Sequence, residues 1–377
     1  SSDFDVASRS GASLIICLSC SLGSNELKKS SGADIDVIVV DRRRPVNHLP
    51  KGLILLNSEL SDRESIERLT AGVVALKLFQ AVDISPVDDS HCGEGMVNPP
   101  YDLAAISTLA DRMPLIGEYR RVVTLGLEPM ARTRRIGFQE LSDRLGRSGP
   151  VPTAEECRGR LNPLLESAAR FGEGDLAVSL LVSRDRAVVA SMADTIMELD
   201  SRRRSEIAGA WSRLLPKARR LARKHDNALC LVVEDLRLIR GLAGPLAFRL
   251  SRFFSTPVAV VVYEGGCVSG SVRSPDGGPD VLKLLSKAKG LTTSCGGYRN
   301  AGGFIAPLDA LEKIRCRWLQ DDSPPRAIEL RPGKPGRILD AELPALALKP
   351  DLDYLVRLME PTGAGNRPLV LRTRRLR

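Results

Sequence analysis

The chain has 377 residues and a formal net charge of +9, with 55 basic and 46 acidic residues, and only 4% of its residues are aromatic. This length suits about two or three domains, and the positive balance favours an acidic partner such as nucleic acid. The low aromatic content argues against a surface built mainly on base stacking. No apolar run approaches the ~18 residues of a membrane span, and no signal peptide is evident. A cytoplasmic, intracellular protein without a membrane partner is therefore expected.

The first part of the chain predicts a parallel α/β domain. Runs of β-branched and other apolar residues indicate strands over 12–20, 34–40 and 53–56. The second run ends in Asp41 and is followed by Arg42, Arg43 and Arg44. Buried parallel strands deliver such residues to the carboxyl edge of a sheet, where α/β proteins keep their sites. The arginines beside Asp41 have no lone pair to offer a cation.

Helical periodicity dominates the next part of the chain. The predicted helical segments are 61–80, 101–109, 154–182 and 187–224. Pro216 is expected to kink or break the last of these. The basic end of that segment, 219–224, suits either a connecting rod between domains or a solvated face.

A second α/β unit follows the long helical segment. Strands are indicated at 228–233, 258–263 and 270–274, before a glycine pair at Gly296 and Gly297. A Pro-rich linker begins at Ser323, and strand, helix and strand patterns follow near 338, 352–359 and 369–371. Eight scattered cysteines suit reduced thiols. The Cys17-x-x-Cys20 pair lies in an apolar run, so core thiols are expected there rather than zinc.

The order of these segments resembles the RecJ branch of the DHH/DHHA1 phosphoesterases. Enzymes of that branch depend on Mn²⁺ or Mg²⁺ and degrade single-stranded DNA from a 5′ end. Residues 35–43 resemble the strand that ends in the family's Asp-His-His, and 105–120 resemble a motif whose aspartate, here Asp111, is a metal ligand. Residues 160–172 resemble an Asn…Gly-Arg motif with stretched spacing. Residues 270–274 and 296–303 resemble two DHHA1 signatures, and 339–344 and 360–366 resemble the approach to an OB-type domain.

This resemblance implies an α/β fold with a defined domain order. A DHH-type parallel-sheet domain would be joined by a long helix to a smaller DHHA1 α/β domain, with a partial OB-like C-terminal segment. The expected segments are 1–185, 186–226, 227–322 and 323–377.

The metal-binding motifs depart from the family pattern. Arg42 and Arg43 stand where the family has two histidines, and Ser19 stands where it has an aspartate. Guanidinium groups are always charged and cannot ligate a cation. Asp41 and Asp111 are therefore expected to be relict positions, with no catalytic residue and no bound metal. Arg42 and Arg43 are possible phosphate contacts.

The substrate-holding motifs follow the family more closely. Arg170, Ser271 and Arg273 match residues that cradle a DNA phosphate in the family, and arginine forks suit phosphate oxygens. Gly296 and Gly297 would allow close approach of a backbone. Tyr298 replaces a histidine and could stack on a base, and Arg299 completes the expected nucleic-acid-binding set.

Three functions remain open at the level of sequence. The leading hypothesis is a RecJ-like pseudo-nuclease that binds single-stranded DNA or another nucleic acid without cleaving it, within a replication or repair assembly. It would be nucleoid-associated in a bacterium or archaeon. The first alternative is an active 5′–3′ exonuclease, which would need Mn²⁺ or Mg²⁺. The second is a structural subunit of a nucleoprotein assembly.

Overall fold

The computed structural model describes residues 6, 9–19, 35–40, 53–57, 69–83, 100–130, 133, 135–146, 152–225, 228–275, 277–319 and 339–373. The chain forms two compact units. Unit 1 comprises Ser1–Arg134, Leu141–Asn162 and Ile338–Arg377. Unit 2 comprises Arg135–Glu140 and Pro163–Arg337. The four segments expected from the sequence remain a prediction.

Unit 1 contains a small parallel sheet. Its strands, in spatial order, are β1 (Leu14–Leu18), β2 (Asp36–Val40) and β3 (Leu53–Leu56), and both neighbouring pairs are parallel. A small buried cluster on these strands contains Cys17, Val37 and Val39. β-branched residues pack well on a pleated surface, which explains why these short runs form strands. The parallel sheet expected from the sequence is confirmed.

Three helices in the N-terminal part of unit 1 pack closely against one another. They are α1 (Ala71–Asp83), α2 (Tyr101–Ala110) and α3 (Gly117–Met130), and the next helix in the chain is α4 (Ile136–Arg144). Val73, Ala104 and Tyr119 are buried in their shared core. A Cβ atom on Gly126 would lie 2.2 Å from the carbonyl oxygen of Tyr101, so glycine lets the backbones of α2 and α3 approach.

A nearly continuous helical segment follows. A helical turn at Ala154–Glu156 runs through a π-helical turn at Cys157–Leu161 into α5 (Asn162–Arg170), and then come α6 (Gly174–Val182) and α7 (Arg186–Lys224). The turn at 154 begins with a capping box: the Glu156 N–H donates to the Thr153 Oγ1, and the Thr153 N–H donates to the Glu156 carboxylate.

Of the kink or break expected at Pro216, the break does not occur: α7 is one helix of 39 residues. Leu214 and Ala218, on either side of the proline, are fully buried and hold the helix against its neighbours. Pro216 itself is exposed, where water can reach the Ser212 carbonyl that loses its helical N–H partner. Tertiary packing therefore overrides the local penalty.

Unit 2 is built on a mixed five-stranded sheet. Its strands, in spatial order, are β4 (Leu231–Glu234), β5 (Val258–Glu264), β6 (Cys267–Arg273), β8 (Ala301–Pro307) and β7 (Ser294–Tyr298). The first pair, β4 and β5, is parallel, and the other three pairs are antiparallel.

Helices cover both faces of this sheet. On one face α7 and α8 (Arg240–Phe254) pack on Leu231, Val233 and Val260. On the other, α9 (Val281–Lys287) and α10 (Leu311–Leu319) pack on alternating residues such as Cys230 and Val232. Burial raises the pKa of the Cys230 thiol above its ordinary value, so this cysteine is a protonated core residue. The layers are thus helix, sheet and helix.

The C-terminal part of unit 1 holds β9 (Ala341–Leu343), α11 (Pro350–Arg357) and β10 (Leu371–Thr373), with β9 and β10 paired in parallel. The OB-like character expected for this segment remains a prediction. Across the described residues, no helix combines the length and the apolar character that a membrane crossing requires.

Candidate nucleic-acid interface

The C-terminus of α5 meets the N-terminus of α8 inside unit 2. The Arg170 Nη1 donates a hydrogen bond of 3.1 Å to the carbonyl oxygen of Gly241. A Cβ atom on Gly241 would lie only 2.0 Å from the carbonyl oxygen of Arg170. No side chain other than hydrogen fits there, because both contacting groups belong to backbone. Gly241 therefore brings the two helices into direct contact.

Arg273, the last residue of β6, lies under the first turn of α8. Its Nη1 donates to the Ser271 Oγ at 3.2 Å and to the carbonyl oxygens of Val272 at 2.8 Å and Gly302 at 3.1 Å. A Cβ atom on Gly244 would lie 2.8 Å from the Arg273 Nη2 and 3.3 Å from the Ser271 Oγ. The absence of a side chain at Gly244 therefore lets the backbone of α8 approach both groups closely.

We call Arg170, Ser271 and Arg273, together with Gly241 and Gly244, the guanidinium cradle. Burial lowers the pKa of the Arg273 guanidinium, and the positive charge of Arg170 lowers it further. Among the residues that the structure describes, Arg273 has no carboxylate in ion-pair range. Like charges held close together are unfavourable unless an anion joins them. The cradle thus has the electrostatic character of an anion site.

Arg170 already has one anionic contact. Its Nη2 forms a salt bridge with the Glu166 carboxylate one helical turn earlier, and both side chains are partly exposed. Glu166, Ala169, Arg170 and Gly241 line a surface depression of about 340 Å³. An exposed i,i+4 pair contributes only about 0.3–0.5 kcal/mol. A ligand with more negative charge than a carboxylate would therefore displace Glu166 from Arg170 at a small cost in free energy.

Strand register places further expected residues beside the cradle. Residues paired across neighbouring strands point to the same face of a sheet. Ser271 pairs with Gly303, which pairs in turn with Gly296. Two residues further along β6 on the same face, Arg273 pairs with Ala301, which pairs in turn with Tyr298. The cradle, three small residues and Tyr298 therefore share one face, and two strand spacings put Tyr298 about 10 Å from Arg273.

The two expected glycines of β7 differ in what they do. Gly296 is exposed, and a Cβ atom there would meet nothing within 4 Å. Gly297 has a φ of +151°, and a Cβ atom there would lie 2.3 Å from the carbonyl oxygen of Ala301. Gly297 is therefore required by the β7–β8 hairpin. Gly296 leaves open space above the face that carries the cradle.

Tyr298 and Arg299 lie at the end of the β7–β8 hairpin. Tyr298 is half-buried, and Arg299 is exposed in the two-residue turn with Asn300. The carbonyl oxygen of Arg299 accepts from the Val281 N–H at 2.7 Å, and that of Asn300 accepts from the Ser274 N–H at 3.0 Å. The turn is anchored by its backbone, which leaves the Arg299 side chain in solvent.

The expected relict positions lie in unit 1. Asp111 follows the last residue of α2 and is exposed, with its N–H donating to the Ser107 carbonyl oxygen at 3.0 Å. Ser19 follows β1 with a φ of 54°, and its N–H donates to the Val40 carbonyl oxygen at 2.8 Å. Asp41, Arg42 and Arg43 lie outside the described residues.

A two-metal centre needs several carboxylates or imidazoles around ions about 4 Å apart. Within the part of the chain that the structure describes, no group of three or more His, Cys, Asp or Glu side chains could hold a metal ion. Ser19 offers a neutral hydroxyl where the family pattern has a carboxylate. The described residues therefore do not fit the two metal ions that the family resemblance implies.

Sequence reasoning missed three residues of this interface. Gly241 and Gly244 carry a recognisable signal, because a Gly-x-x-Gly pair in the first turn of an apolar helix marks close backbone approach. Glu166 also had a signal, since it precedes Arg170 by four residues in a predicted helix.

Comparisons with known proteins agree with this fold. No protein-family model matches the chain. It is 29% identical over 312 residues to the single-stranded-DNA-specific exonuclease RecJ of Bacillus subtilis, covering 81% of the chain and 38% of that relative. It is 28% identical over 365 residues to the RecJ of Thermus thermophilus, covering 95% of the chain and 50% of that relative.

The crystal structure of the Thermus thermophilus RecJ in complex with Mn²⁺ matches with a TM-score of 0.73 and 26% identity. The match covers 95% of this chain and 52% of that one. The chain thus spans about half the length, or less, of these relatives.

Fold and interface together define an α/β protein with a parallel sheet in one unit and a sheet between two helical layers in the other. The sequence and structure matches narrow that class. The chain resembles RecJ and other RecJ-like proteins of the DHH/DHHA1 superfamily. The resemblance and the α/β fold class expected from the sequence are confirmed.

Proposed function

We propose that the chain binds the phosphate backbone or the 5′ phosphate of single-stranded nucleic acid at the guanidinium cradle and does not cleave the strand. The observation that carries this proposal is that Arg170, in contact with Gly241, and Arg273, hydrogen-bonded to Ser271 beside Gly244, meet the same end of α8. Two arginine forks give charge-assisted hydrogen bonds to phosphate oxygens, and the hydroxyl adds a further donor.

The first turn of α8 supports an anionic ligand at the same place. The helix has 15 residues, and its cap residue Ile239 has no side chain that could occupy the terminal N–H groups. Helix N-termini carry a partial positive charge and bind phosphate groups. Because Gly241 and Gly244 lie in this turn, its backbone approaches both arginines closely.

The sheet face beside the cradle suits the continuation of the strand. Gly303, Ala301 and Gly296 have little or no side chain and would form a shallow floor. Tyr298 at its far end would stack on a base, and Arg299 would contact a further phosphate. The expected nucleic-acid-binding set is kept in this proposal, with Gly297 assigned to the hairpin.

Loss of cleavage rests on the metal-binding positions. Arg42 and Arg43 replace two imidazoles, and Ser19 replaces a carboxylate. Guanidinium groups repel cations, whereas two-metal hydrolysis requires ligands that hold two cations close together. Arg42 and Arg43 would serve as additional phosphate contacts. Asp41 and Asp111 would then be relict positions.

The competing function is a metal-dependent 5′–3′ exonuclease. It is favoured by the relatives, which are named as single-stranded-DNA-specific exonucleases, and by the Mn²⁺ complex of the matching structure. In that case another chain would complete the site. A structural role in a replication or repair assembly is the remaining candidate, in which the cradle would bind nothing.

Binding of single strands in EDTA, with and without a 5′ phosphate, tests the proposed function independently of chemistry. The wild-type chain is expected to bind, and Arg273→Ala is expected to bind about ten- to a hundredfold more weakly, because hydrogen bonds to charged groups contribute about 1.5–3 kcal/mol. Equal affinity of both proteins would contradict the cradle and favour the structural role.

A further inference from the structure

Two helical segments of unit 2 carry basic residues and no acidic ones. Residues 207–224 of α7 and the whole of α8 contain nine Lys and Arg residues and no Asp or Glu. Nine is also the net charge of the entire chain, so the remaining residues carry equal numbers of basic and acidic groups. The positive balance of the protein is thus accounted for by 33 residues.

Three of these nine cations have local partners. Arg213 pairs with Asp235 at 2.8 Å, the Lys217 Nζ donates to the Glu234 carbonyl oxygen at 3.0 Å, and Arg240 lies 3.8 Å from the Glu264 carboxylate. The other six are exposed, and none forms an ion pair with any residue that the structure describes. We call these six the basic face: Arg219, Arg220, Arg223, Lys224, Arg249 and Arg252.

Aromatic rings order part of this face. The Arg249 guanidinium lies 4.0 Å from the centroid of Trp211, whose ring meets Phe253 edge-on at 5.9 Å. Arg219 lies 5.5 Å from the same Phe253 ring. Exposed cation–π contacts of this kind contribute about 0.5–1 kcal/mol each. They hold the guanidiniums of both helices in fixed positions, which lowers the entropy cost of binding a ligand.

Helix stabilisation explains only part of the pattern. Arg223, Lys224 and Arg252 lie in the last turns of their helices, where cations interact favourably with the helix dipole. Arg219, Arg220 and Arg249 lie further from the helix ends, and a dipole effect is confined to the last turn. These positions call for a different explanation.

The composition of the face identifies the class of ligand. Protein interfaces are centred on exposed apolar or aromatic anchors, and charged residues are depleted at their core. In residues 207–224 and in α8, no large hydrophobic side chain is among the exposed ones. Five of the six cations are arginines, whose forks match phosphate oxygens. A surface of one sign, whose aromatic rings are half-buried and lie against the guanidiniums, suits a polyanion.

We propose that the basic face of α7 and α8 is a second nucleic-acid contact, which binds the phosphodiester backbone at a place separate from the guanidinium cradle. Both sites share α8, whose rise of about 1.5 Å per residue separates Gly244 from Arg252 by about 12 Å. This inference does not depend on whether the cradle holds a 5′ phosphate or whether the strand is cut.

The test is the salt dependence of binding by the full-length chain in EDTA. The probes are a labelled single strand and a labelled duplex of about 30 nucleotides or base pairs, titrated between about 50 and 200 mM salt. Two double variants each remove two charges from the face: R220Q/K224Q, which disturbs no ring contact, and R249Q/R252Q. K283Q/K287Q removes the same charge from exposed positions of α9, on the opposite layer of unit 2.

For the single strand, each face variant is expected to reduce the slope of log K against log salt by about 1.4, because about 0.7 is lost per phosphate contact. Its affinity at low salt should fall several-fold, and the α9 control should keep the wild-type slope. Titration with the duplex shows whether the basic face binds the backbone of double-stranded as well as single-stranded nucleic acid. Face variants that bind both probes like the control would overturn the inference, and an acidic protein would then be the ligand class to test.

A short probe separates this result from the proposed function. A 5′-phosphorylated dinucleotide has only two adjacent phosphates and is too short to reach from the cradle to the basic face, whose members on α8 lie about 7.5 and 12 Å along the helix from Gly244. Its binding should be weakened by Arg273→Ala and unchanged in both face variants. Loss of short-strand binding in the face variants would show that the two sites are not separate, and would contradict the inference while leaving the cradle standing.

Discussion

The guanidinium cradle of unit 2 and the carboxyl edge of the parallel sheet in unit 1 carry different kinds of residue. At the cradle, Arg170 contacts Gly241, and Ser271 and Arg273 lie beside Gly244 of the same helix, because neither glycine carries a side chain. At the sheet edge, β1 is followed by Ser19, which offers a neutral hydroxyl.

Binding a nucleic-acid strand and cleaving it therefore depend on separate sets of side chains. Phosphate recognition needs donors and positive charge, which arginine supplies. Metal-assisted hydrolysis needs lone pairs and negative charge, which arginine lacks. A chain can therefore keep the first property while its sequence loses the second, and variants at the two regions should have independent effects.

The largest expected effect comes from Gly241, where the cradle is assembled. Gly241→Ala places a Cβ atom 2.0 Å from the Arg170 carbonyl oxygen, and neither backbone can yield without moving a helix. Overpacking of this kind costs about 1–3 kcal/mol or more, so both the unfolding temperature and strand binding should fall. Thermal unfolding and binding measure the two effects. Gly296→Ala is the matched control, because its Cβ would meet open space; equal melting temperatures for both variants would refute the close contact.

Arg273 provides the next largest effect. Arg273→Ala should lower single-strand affinity about ten- to a hundredfold, and Arg273→Lys should fall between the two because it keeps the charge and loses the fork. Titration of a labelled strand in EDTA measures this order. Lys289→Ala, which removes an exposed charge outside the cradle, should bind like the wild type. A lysine variant as weak as the alanine variant would argue that geometry rather than charge decides.

Substitution of Glu166 should have a smaller effect on strand affinity, and it should strengthen binding. Glu166→Gln removes the carboxylate that occupies the Arg170 fork, so single strands should bind a few-fold more tightly. The exposed pair contributes less than about 1 kcal/mol, which limits the gain to about fivefold. Glu173→Gln makes the same charge change at an exposed position nearby. If both variants gain equally, net charge is responsible and Glu166 does not compete with phosphate.

The smallest effect is expected at Gly296 itself. Gly296→Val should leave the free energy of unfolding within about 1 kcal/mol of the wild type, because nothing lies within 4 Å of the new Cβ. Strand binding should weaken a few-fold if the sheet face is the floor for the strand. Calorimetry and strand titration on the same preparation measure both. Unchanged binding would place the strand elsewhere and confine the interface to the cradle.

Local patterns predicted the elements of this fold well. The apolar runs of β1 to β3 and the helical periodicity of α7 depend on near neighbours, and both appear in the structure. The parallel arrangement of β1, β2 and β3 was also predictable from the sequence, because the polar segments between these runs leave room for crossover connections. Pro216 is the exception, since buried residues on either side hold α7 together.

The candidate site was harder to predict because it depends on distant contacts. The register of β6, β8 and β7 sets which glycine faces the cradle, and register is fixed by the whole sheet rather than by the glycine pair. The contact between Arg170 and Gly241 joins residues 71 positions apart. Motif resemblance named Arg170, Ser271 and Arg273, and only the fold brought them together.

The central claim is that this chain holds a single strand without cutting it. The most direct measurement follows a 5′-phosphorylated, 3′-labelled single strand with the wild-type chain in Mn²⁺, reading binding and strand length in the same reaction. The predicted result is a retarded strand of full length, with affinity about ten- to a hundredfold lower in Arg273→Ala. Mn²⁺-dependent shortening of the strand from its 5′ end would contradict the claim and favour the exonuclease function.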